Sequence, residues 1–272
     1  MSLTRVTSTA LSGLSAATVS VEVAAHNLAN LATPGFQASH SVLATQSPQP
    51  FGGVMVAGIG TDPSQGPIAM GAQPPLLALE GEGLFILEGS GGERLYTRDG
   101  HFTLGSRGEL LARGGYRVLG YSATGDGTID TAQLVPLIID RGSQVATAGG
   151  GVASLRSYSI LKGGRIQGLY SDGLTRPLGQ LRIARFPNPQ GLVQRAGNVL
   201  RASPASGLPR ESDPGEDGAA EVIPGATELS NVDVGREIVD LMLAEDTFHA
   251  NLLVLETADS LLDSLFFPWP AK

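Results

Sequence analysis

Two long segments with a regular spacing of apolar residues stand at the two ends of the chain. In the N-terminal segment the steps alternate between three and four residues, which is typical of a helix that packs lengthwise on other helices. This predicted seam comprises Ala10, Leu14, Ala17, Val21, Ala24, Leu28 and Leu31. The helix should begin near Leu3 and end near Thr33-Pro34-Gly35, because the residue before proline disfavours helical geometry and glycine suits a helix exit.

The C-terminal segment repeats this pattern. Its predicted seam comprises Val234, Ile238, Leu241, Phe248, Leu252, Leu255 and Leu262, with Phe266 as an extension. Glu245 and Asp259 interrupt the seam, and Pro268 and Pro270 should end the helix. One such helix alone would be read as an ordinary amphipathic core element. With two at opposite termini, each must find its partner in the other terminus or in another molecule.

The middle of the chain has a different pattern. Short strand-like runs are separated by breaks that contain glycine, and Asp99-Gly100 between two such runs is a hairpin signal. We therefore predict an α+β fold in which the terminal helices, 1–35 with 228–267, form a coiled-coil-like inner domain. A β-rich outer domain should span 76–200. The segment 36–75 should be an irregular connection with extended segments around Val54 and Ile68. The segment 201–227, rich in Pro, Gly, Ser and acidic residues, should be a returning loop.

Charge and composition narrow the classes of function. The net charge is -8 and no basic stripe is present, so nucleic-acid binding, which depends on phosphate neutralisation, is not expected. No apolar run approaches the ~18 residues needed to cross a bilayer. The first 32 residues do not resemble a cleaved secretory signal, because Glu22 and His26 interrupt them. Export from the cytoplasm would then need another route.

A search for catalytic, cofactor or metal motifs gives no positive signal. The chain has no cysteine, and the four histidines, His26, His40, His101 and His249, have no metal-ligand spacing. The glycine pairs Gly58-Ile59-Gly60 and Gly81-Glu82-Gly83 lack the third glycine of a dinucleotide loop. We therefore predict no catalytic residue, no cofactor and no metal site. No feature of the sequence supports the alternative of a β-rich surface enzyme with helical anchors.

Four ordered blocks of sequence carry a family resemblance. The run Asn27-Leu28-Ala29-Asn30-Leu31-Ala32-Thr33-Pro34-Gly35-Phe36 resembles the N-terminal signature of bacterial flagellar rod and hook proteins. The block Gly81 to Phe85 with Tyr96 to Phe102 is similar to their first β region. Phe186 to Leu192, with Gly197-Asn198 after it, is similar to their returning strand. Glu228 to Asp233 is similar to their C-terminal signature. The matching positions carried over are Asn27, Asn30, Thr33, Gly35, Phe36, Ser230, Asn231 and Asp233.

The resemblance implies a structural subunit of the flagellar axial structure that polymerises into a hollow helical tube and transmits motor torque. It implies terminal helices in an inner layer, with the two seams as polymer contacts, and export through the flagellar type III apparatus. Its partners would be copies of itself and neighbouring axial proteins, in the basal body or hook. An alternative is an assembly or capping factor that binds the end of such a tube without polymerising.

The resemblance leaves both a hook protein and a rod protein as alternatives. The segments Gly164 to Gln180 and Val118 to Tyr121 look more like the hook protein, whereas the chain length leaves little room for the large extra outer domain of hook proteins. Asp246-Thr247-Phe248 departs from the basic–small–Tyr pattern of the family, and Phe266 to Pro270 forms an unusual tail. Subunit contacts near those positions are therefore not carried over.

Overall fold

The computed structural model describes residues 3–46, 52–71, 75–124, 127–146 and 151–266, and the side chains of 265 and 266 are not described. The tail from Phe267 to Pro270, and with it the expected helix end at Pro268 and Pro270, lies outside the described residues. The α-helices are α1 (Leu3–Ala29) and α2 (Val234–Phe266). The described part of the chain divides into two compact units, and each is described by itself below.

The strands are short and lie between the two helices. In chain order they are β1 (Ser39–Thr45), β2 (Val54–Thr61), β3 (Ile68–Met70), β4 (Leu77–Glu80), β5 (Leu84–Glu88), β6 (Arg94–Thr97), β7 (Thr103–Leu104), β8 (Leu110–Leu111), β9 (Arg117–Ser122), β10 (Val135–Pro136), β11 (Gln144–Ala146), β12 (Val152–Ile160), β13 (Arg165–Tyr170), β14 (Thr175–Leu181), β15 (Ile183–Arg185), β16 (Val193–Arg195), β17 (Val199–Arg201), β18 (Arg210–Ser212), β19 (Glu221–Pro224) and β20 (Ala226–Glu228). Helix α1 ends at Ala29, a few residues before the predicted exit, and Leu31 lies beyond it.

The first unit contains both helices and an antiparallel hairpin. It takes the described residues of Met1–Leu31, Gln37–Asp62 and Val232–Lys272. Strands β1 and β2 pair antiparallel and pack along α1, where Ser20 Oγ lies 3.0 Å from Ser41 Oγ and Val54 N–H donates to Ser12 Oγ at 3.1 Å. The expectation that 36–75 is irregular is therefore corrected. Its polar and glycine residues hid the alternation that marks a strand.

The second unit takes Ala32–Phe36 and the described residues of Pro63–Asn231. Among the described residues, a 14-stranded sheet system runs β11-β12-β13-β14-β9-β5-β6-β17-β16, and β7, β8, β10, β15 and β18 pair to its side. In two small antiparallel pairs, β3 pairs with β20 and β4 pairs with β19. These pairs bring residues 221–228 of the returning chain against residues 68–80 near the start of the unit. The segment 201–227 is thus no plain loop, because it supplies β18, β19 and part of β20.

The core of the second unit lies on both faces of β5. Because side chains alternate along a strand, Phe85 and Leu87 enter one apolar cluster, and Leu84 and Ile86 enter another. Phe85 packs edge-on against Phe102, with ring centroids 5.0 Å apart. This strand is the continuous apolar run that the sequence shows, and it is buried because both faces are covered.

Two details of the predicted strands are corrected. Asp99-Gly100 is not a hairpin turn, since β6 pairs with β5 and β17 whereas β7 pairs with β8. Glycine is needed at position 100 for another reason: a Cβ there would lie 1.8 Å from the carbonyl oxygen of Leu77. The run from Ile160 to Leu169, expected to be strand, contains the last residue of β12, a turn at 161–164 and most of β13.

Candidate functional site

The terminal helices pack against each other in antiparallel orientation. Near the start of α1, Gly13 lies against Asn251, and a Cβ built on Gly13 would fall 2.6 Å from Asn251 Oδ1. Near the end of α1, Asn27 Nδ2 donates a hydrogen bond to Glu237 Oε1 at 2.8 Å. The partner position moves back along α2 as the position on α1 advances, so the two helices run in opposite directions.

The surface between the helices is built from small and polar side chains. The buried residues of α1 are Ala10, Gly13, Ala16, Ala17, Val23, Ala24 and Asn27. On α2 the buried residues are Glu237, Ala244 and Ala258, and Leu241, Asn251, Leu255 and Leu262 are half-buried. These α2 positions follow steps of three and four residues, with one step of seven across the exposed Phe248, so they form a seam. Small side chains allow the helix axes to approach closely.

The seam predicted for α1 agrees with this packing in part. Ala10, Ala17 and Ala24 are buried, Leu14, Val21 and Leu28 are half-buried, and Leu31 is exposed beyond the helix end. Whether any of these side chains also contacts another subunit stays a prediction.

The seam predicted for α2 is displaced from the one that packs on α1. Leu241, Leu255 and Leu262 belong to both, whereas Val234, Ile238, Phe248 and Leu252 are exposed. The alanines next to the interrupting acids, Ala244 and Ala258, occupy the buried positions instead. Sequence reasoning favoured large apolar residues, but a close helix contact selects small ones.

Asn27 joins three elements of the first unit. Its side chain is fully buried. Besides the bond to Glu237, its Nδ2 donates to the carbonyl of Ser39 at 2.7 Å, and its Oδ1 accepts from the N–H of Ser39 at 2.9 Å. A buried carboxamide is stable only when its donors and acceptors are paired, as they are here. The signature residue Asn27 therefore ties α1 to β1 and to α2.

Glu237 is the charged partner in this network. Burial raises the pKa of its carboxyl group, and the hydrogen bond from Asn27 opposes that shift. Asp240 and Asp233 raise the pKa further, and Arg236 lowers it. A carboxylate at this position costs desolvation energy, which the bond from Asn27 offsets only in part.

Asp233 lies just before the first residue of α2 and accepts hydrogen bonds from the first turn of that helix. Its Oδ1 accepts hydrogen bonds from the backbone N–H groups of Gly235, at 2.8 Å, and Arg236, at 3.3 Å. This is the geometry of a helix N-cap, and the negative charge suits the positive end of the helix dipole.

Most of the large apolar side chains of α2 face away from α1. The exposed set comprises Val234, Ile238, Val239, Met242, Leu243, Phe248, Leu252, Leu253, Val254 and Leu261. Leu253 is 61% exposed and Met242 58%, which no core position of a helix would show. An exposed apolar surface of this size on one helix is one that a partner usually covers. We call it the outer face of α2.

The other signature residues meet in the second unit. Gly35 adopts φ +62°, and a Cβ there would lie 2.7 Å from the backbone nitrogen of Asp99. Its own N–H donates to the carbonyl of Glu228 at 2.9 Å. Asn198 Nδ2 donates to the carbonyl of Pro34 at 3.0 Å. The turn 32–36 therefore contacts three of the other sequence blocks that carry the family resemblance, and we call this region the signature junction.

A buried ion pair lies beside this turn. Arg98 Nε donates to Glu228 Oε2 at 2.6 Å, and both side chains are almost fully buried. The other nitrogens of Arg98 donate to the carbonyls of Gly83, at 2.7 Å, and Leu79, at 3.2 Å. The N–H of Gly66 donates to Glu228 Oε1 at 3.0 Å. Burial raises the pKa of Glu228, and Arg98 and the Gly66 N–H oppose that shift.

The remaining predicted positions have local roles. Phe36 is buried, and its carbonyl accepts from the N–H of Asn231 at 3.2 Å. Asn231 Nδ2 donates to the carbonyl of Ser64 at 3.0 Å, and Ser230 is buried. The carbonyl of Thr33 accepts from the N–H of Phe36 at 3.2 Å. Asn30 is not part of the Asn27 network, since its Nδ2 donates to the carbonyl of His26 in its own helix.

Sequence reasoning missed several residues of these sites. Glu237, Asn251 and Gly13 were not singled out, and Arg98 and Glu228 were quoted only as parts of motifs. One signal was available: Gly13 and Asn27 stand two heptads apart, and so do Glu237 and Asn251. Matching spacings of unusual residues on two helices indicate that they face each other.

Comparisons with known proteins agree with this geometry. Three family models match: "Flagella basal body rod protein" at residues 8–37, "Flagellar hook protein FlgE/F/G D1 domain" at 78–167 and "Flagellar basal body rod FlgEFG protein C-terminal" at 223–266. Together they cover more than half of the chain, and they include α1, the centre of the sheet and α2. No helix among the described residues is long and apolar enough to span a membrane.

The matching relatives are flagellar proteins. The chain is 28% identical to the flagellar basal-body rod protein FlgG of Caulobacter vibrioides, over 94% of this chain and 96% of that protein. It is 28% identical to FlgG of Bacillus subtilis, over 94% and 95%. The flagellar hook protein FlgE of Borreliella burgdorferi is 32% identical, but over 43% of this chain and 26% of its own length.

Among solved structures, the flagellar hook protein FlgE2 of Helicobacter pylori matches 47% of this chain and 37% of its own, at 15% identity and a TM-score of 0.23. That likeness is too small to bear on the fold. The three family models and the relatives that align along nearly the whole chain agree with one another. The chain belongs to the flagellar rod and hook protein family.

Proposed function

We propose that this protein is a structural subunit of the axial part of the bacterial flagellum and that it polymerises through its terminal helices. The observation that carries the proposal is the outer face of α2. The helix pair buries small and polar side chains and leaves large apolar ones, such as Leu253 and Met242, in water. Burying an exposed leucine contributes about 2 kcal/mol, so association of these faces is strongly favourable.

The seam residues predicted from the sequence take different roles in this proposal. Val234, Ile238, Phe248 and Leu252 belong to the outer face and would contact other subunits. Leu241 and Leu255 face α1, so their first role is within the chain. A contact between different faces of identical subunits that does not close into a ring gives an open helical filament. Such a filament is the hollow tube implied by the family resemblance.

The rod is a better match than the hook. The FlgG relatives align along nearly the whole of both chains, whereas the FlgE relatives align with less than half of this chain and about a quarter of theirs. We therefore propose a rod segment in the basal body. In the source bacterium, deleting a rod subunit should remove hook and filament together, whereas deleting a hook subunit should leave an intact rod. Electron microscopy of basal bodies from the deletion strain separates the two.

Export through the flagellar type III apparatus and the absence of catalysis are further parts of the proposal. A subunit that reaches the rod must leave the cytoplasm, and the family resemblance implies this export route. Deleting residues 3–32 should then abolish secretion. A deletion chain that is still secreted would show that the export information lies elsewhere.

The central experiment tests the outer face. Leu253→Asp and Ile238→Asp each place a charge in the proposed contact, and the cost is repeated in every subunit. Thr18→Asp is the matched control, because Thr18 is an exposed polar position of α1 and lies outside the outer face of α2. We expect filaments from the wild type and the control in negative-stain microscopy. The two outer-face variants should stay monomeric in sedimentation velocity.

Two results would contradict the proposal. If the wild type forms no filament at high concentration but binds the end of preformed rods, it is a capping factor. If Leu253→Asp and Ile238→Asp assemble as well as Thr18→Asp does, the outer face of α2 is not the polymer contact. Leu255→Asp is less suitable for this test, since Leu255 is half-buried in the chain's own helix pair.

A further inference from the structure

We propose that two side-chain pairs, Asn27 with Glu237 and Gly13 with Asn251, select one register of α1 against α2. Through this register they set the axial position of the outer face of α2. The effect on the outer face rests on the proposed function. The selection of register concerns the single chain and can be tested without assembly.

The apolar part of the helix contact does not define a register. On α1, Ala10, Ala17 and Ala24 repeat every seven residues, and on α2 the alanines 244 and 258 stand two heptads apart. Helices whose contact repeats every seven residues can slip by seven and still bury similar side chains. Something other than apolar burial must distinguish the correct alignment.

The polar pair makes this distinction at one end of the contact. A slip of seven residues in one direction would place Asn27 against Ala244, and a slip in the other direction would place it beyond the start of α2. In either case the carboxamide loses its bond to Glu237 while it remains fastened to Ser39. An unpaired buried polar group is costly, so slipped registers are penalised.

The second pair marks the contact two heptads away. A Cβ on residue 13 would fall within 2.7 Å of three atoms of the Asn251 carboxamide, so this side chain occupies the space that glycine leaves. The Asn251 Nδ2 donates to the carbonyl of Thr247 at 2.8 Å, which holds it in place. The spacing between the two pairs is the same on both helices, and both are satisfied together in one antiparallel register.

The cost of this arrangement favours a role in specificity. Asn27 and Glu237 are buried polar residues where two apolar residues would fit a helix contact, and such pairs are often no more stable than apolar ones. The contribution of this polar pair is to fix the alignment of α1 with α2. A slip of one heptad would move α2 by about 10 Å along α1. The outer face would then no longer repeat at the distance that a neighbouring copy requires.

The chain has no cysteine, so register can be read by engineered disulfides. The two contacts above place Ala10 opposite Leu255. Ala10→Cys with Leu255→Cys therefore reports the native register, and Ala10→Cys with Leu262→Cys reports a slip of seven residues. The measurement is the fraction of cross-linked monomer after mild oxidation, at a concentration below assembly, and sedimentation confirms the monomer. The unaltered background calibrates both reporters.

The first test moves one partner by a heptad. In the background Glu237→Ala with Ala244→Glu, the relocated carboxylate can reach Asn27 only after a slip. We expect the disulfide to move from the 255 reporter to the 262 reporter by at least fivefold in ratio. If the cross-link stays at 255, the register is set by the chain connections to the second unit, and the proposal is wrong.

The second test keeps the proposal falsifiable if the relocated charge prevents the helices from pairing. In the background Asn27→Leu with Glu237→Leu, both polar groups are removed together. We expect a melting temperature that does not fall, together with comparable cross-linking by the 255 and 262 reporters. Cross-linking confined to 255 in this background would overturn the role of the Asn27–Glu237 pair. Neither result depends on filament formation, so failure of this inference and failure of the proposed function are distinguishable.

Discussion

The two units of this chain bury different kinds of residue. In the second unit, strand β5 places Phe85, Ile86 and Leu87 in the core with no exposed surface. In the first unit, the helix pair buries alanine, glycine, asparagine and glutamate, while leucines of α2 stay exposed. A unit that uses its large apolar residues internally is complete by itself. A unit that turns them outward leaves apolar surface in water, and we propose that this surface is buried in a contact with another molecule.

The sharpest test of this comparison exchanges one large side chain in each unit for alanine. Phe85→Ala should lower the free energy of unfolding by about 4 kcal/mol, because it leaves a cavity in a closed core. Leu253→Ala should change monomer stability by less than about 0.5 kcal/mol. Urea unfolding of both variants at low concentration gives the comparison. A large loss of monomer stability in Leu253→Ala would mean that the outer face of α2 is covered within the chain.

The buried ion pair gives the next largest effect. Arg98→Met leaves the carboxylate of Glu228 without its charged partner in a buried site, which should cost about 3 kcal/mol. Arg94→Met is the matched control, since its partner Glu211 and Arg94 itself are partly exposed, and it should cost less than about 1 kcal/mol. Thermal melts of the two variants test this order.

A double variant sharpens the interpretation. Adding Glu228→Leu to Arg98→Met should recover part of the loss, because the uncompensated charge is then removed. If the double variant is less stable than Arg98→Met alone, the carbonyl contacts of Arg98 matter more than its charge.

Gly35→Ala tests the turn that carries the family signature. The variant would combine a left-handed backbone with a Cβ 2.7 Å from the backbone nitrogen of Asp99, so we expect a loss of about 2 kcal/mol. Gly92→Ala shares the positive φ, but a Cβ there meets nothing within 4 Å, so it should lose only about 1 kcal/mol. Equal losses in chemical unfolding would show that the close approach to Asp99 is relieved by a small shift of the turn.

The smallest expected effect is a pH dependence of the first unit. Because burial raises the pKa of Glu237, the folded state holds its proton to higher pH than the unfolded state does. Helix pairing should therefore weaken as the pH rises from about 4, the ordinary value for glutamate, through the raised pKa of the folded state. In Glu237→Gln this part of the dependence should vanish, while the contribution of Glu228 remains. Identical stability profiles between pH 4 and 8 for both chains would contradict the expected direction.

The sequence predicted the elements of this fold better than their contacts. The helices, the strand β5 and the α+β class follow from apolar spacing, which local geometry imposes. The hairpin of β1 and β2 was missed because one of its faces is covered only by α1, so polar residues such as Ser41 stand where a core would need apolar ones. Part of the α2 seam was placed one residue too late, because Ala244 looks weaker than its neighbours in a sequence, although a close helix contact selects small side chains.

The residues of the candidate sites also differ in whether the sequence predicts them. The signature named Asn27, Gly35 and Asp233, and the structure gives each a defined hydrogen bond or close contact. Arg98 could not be found from local pattern, because its partner Glu228 lies 130 residues away in the chain. A single buried ion pair has no periodicity, so only the folded chain shows it.

The hydrogen bond from the N–H of Asn231 to the carbonyl of Phe36 has a consequence for the order of folding. Asn27 and Glu237 are 210 residues apart, so joining them in an unfolded chain means closing a very long loop. Once the second unit has folded, Phe36 and Asn231 are already adjacent, and only short segments separate them from Asn27 and Glu237. The loss of chain entropy on closing that loop therefore occurs when the β-rich unit folds. The terminal helices should consequently pair last, and the rate at which they pair should be limited by the folding of the sheet.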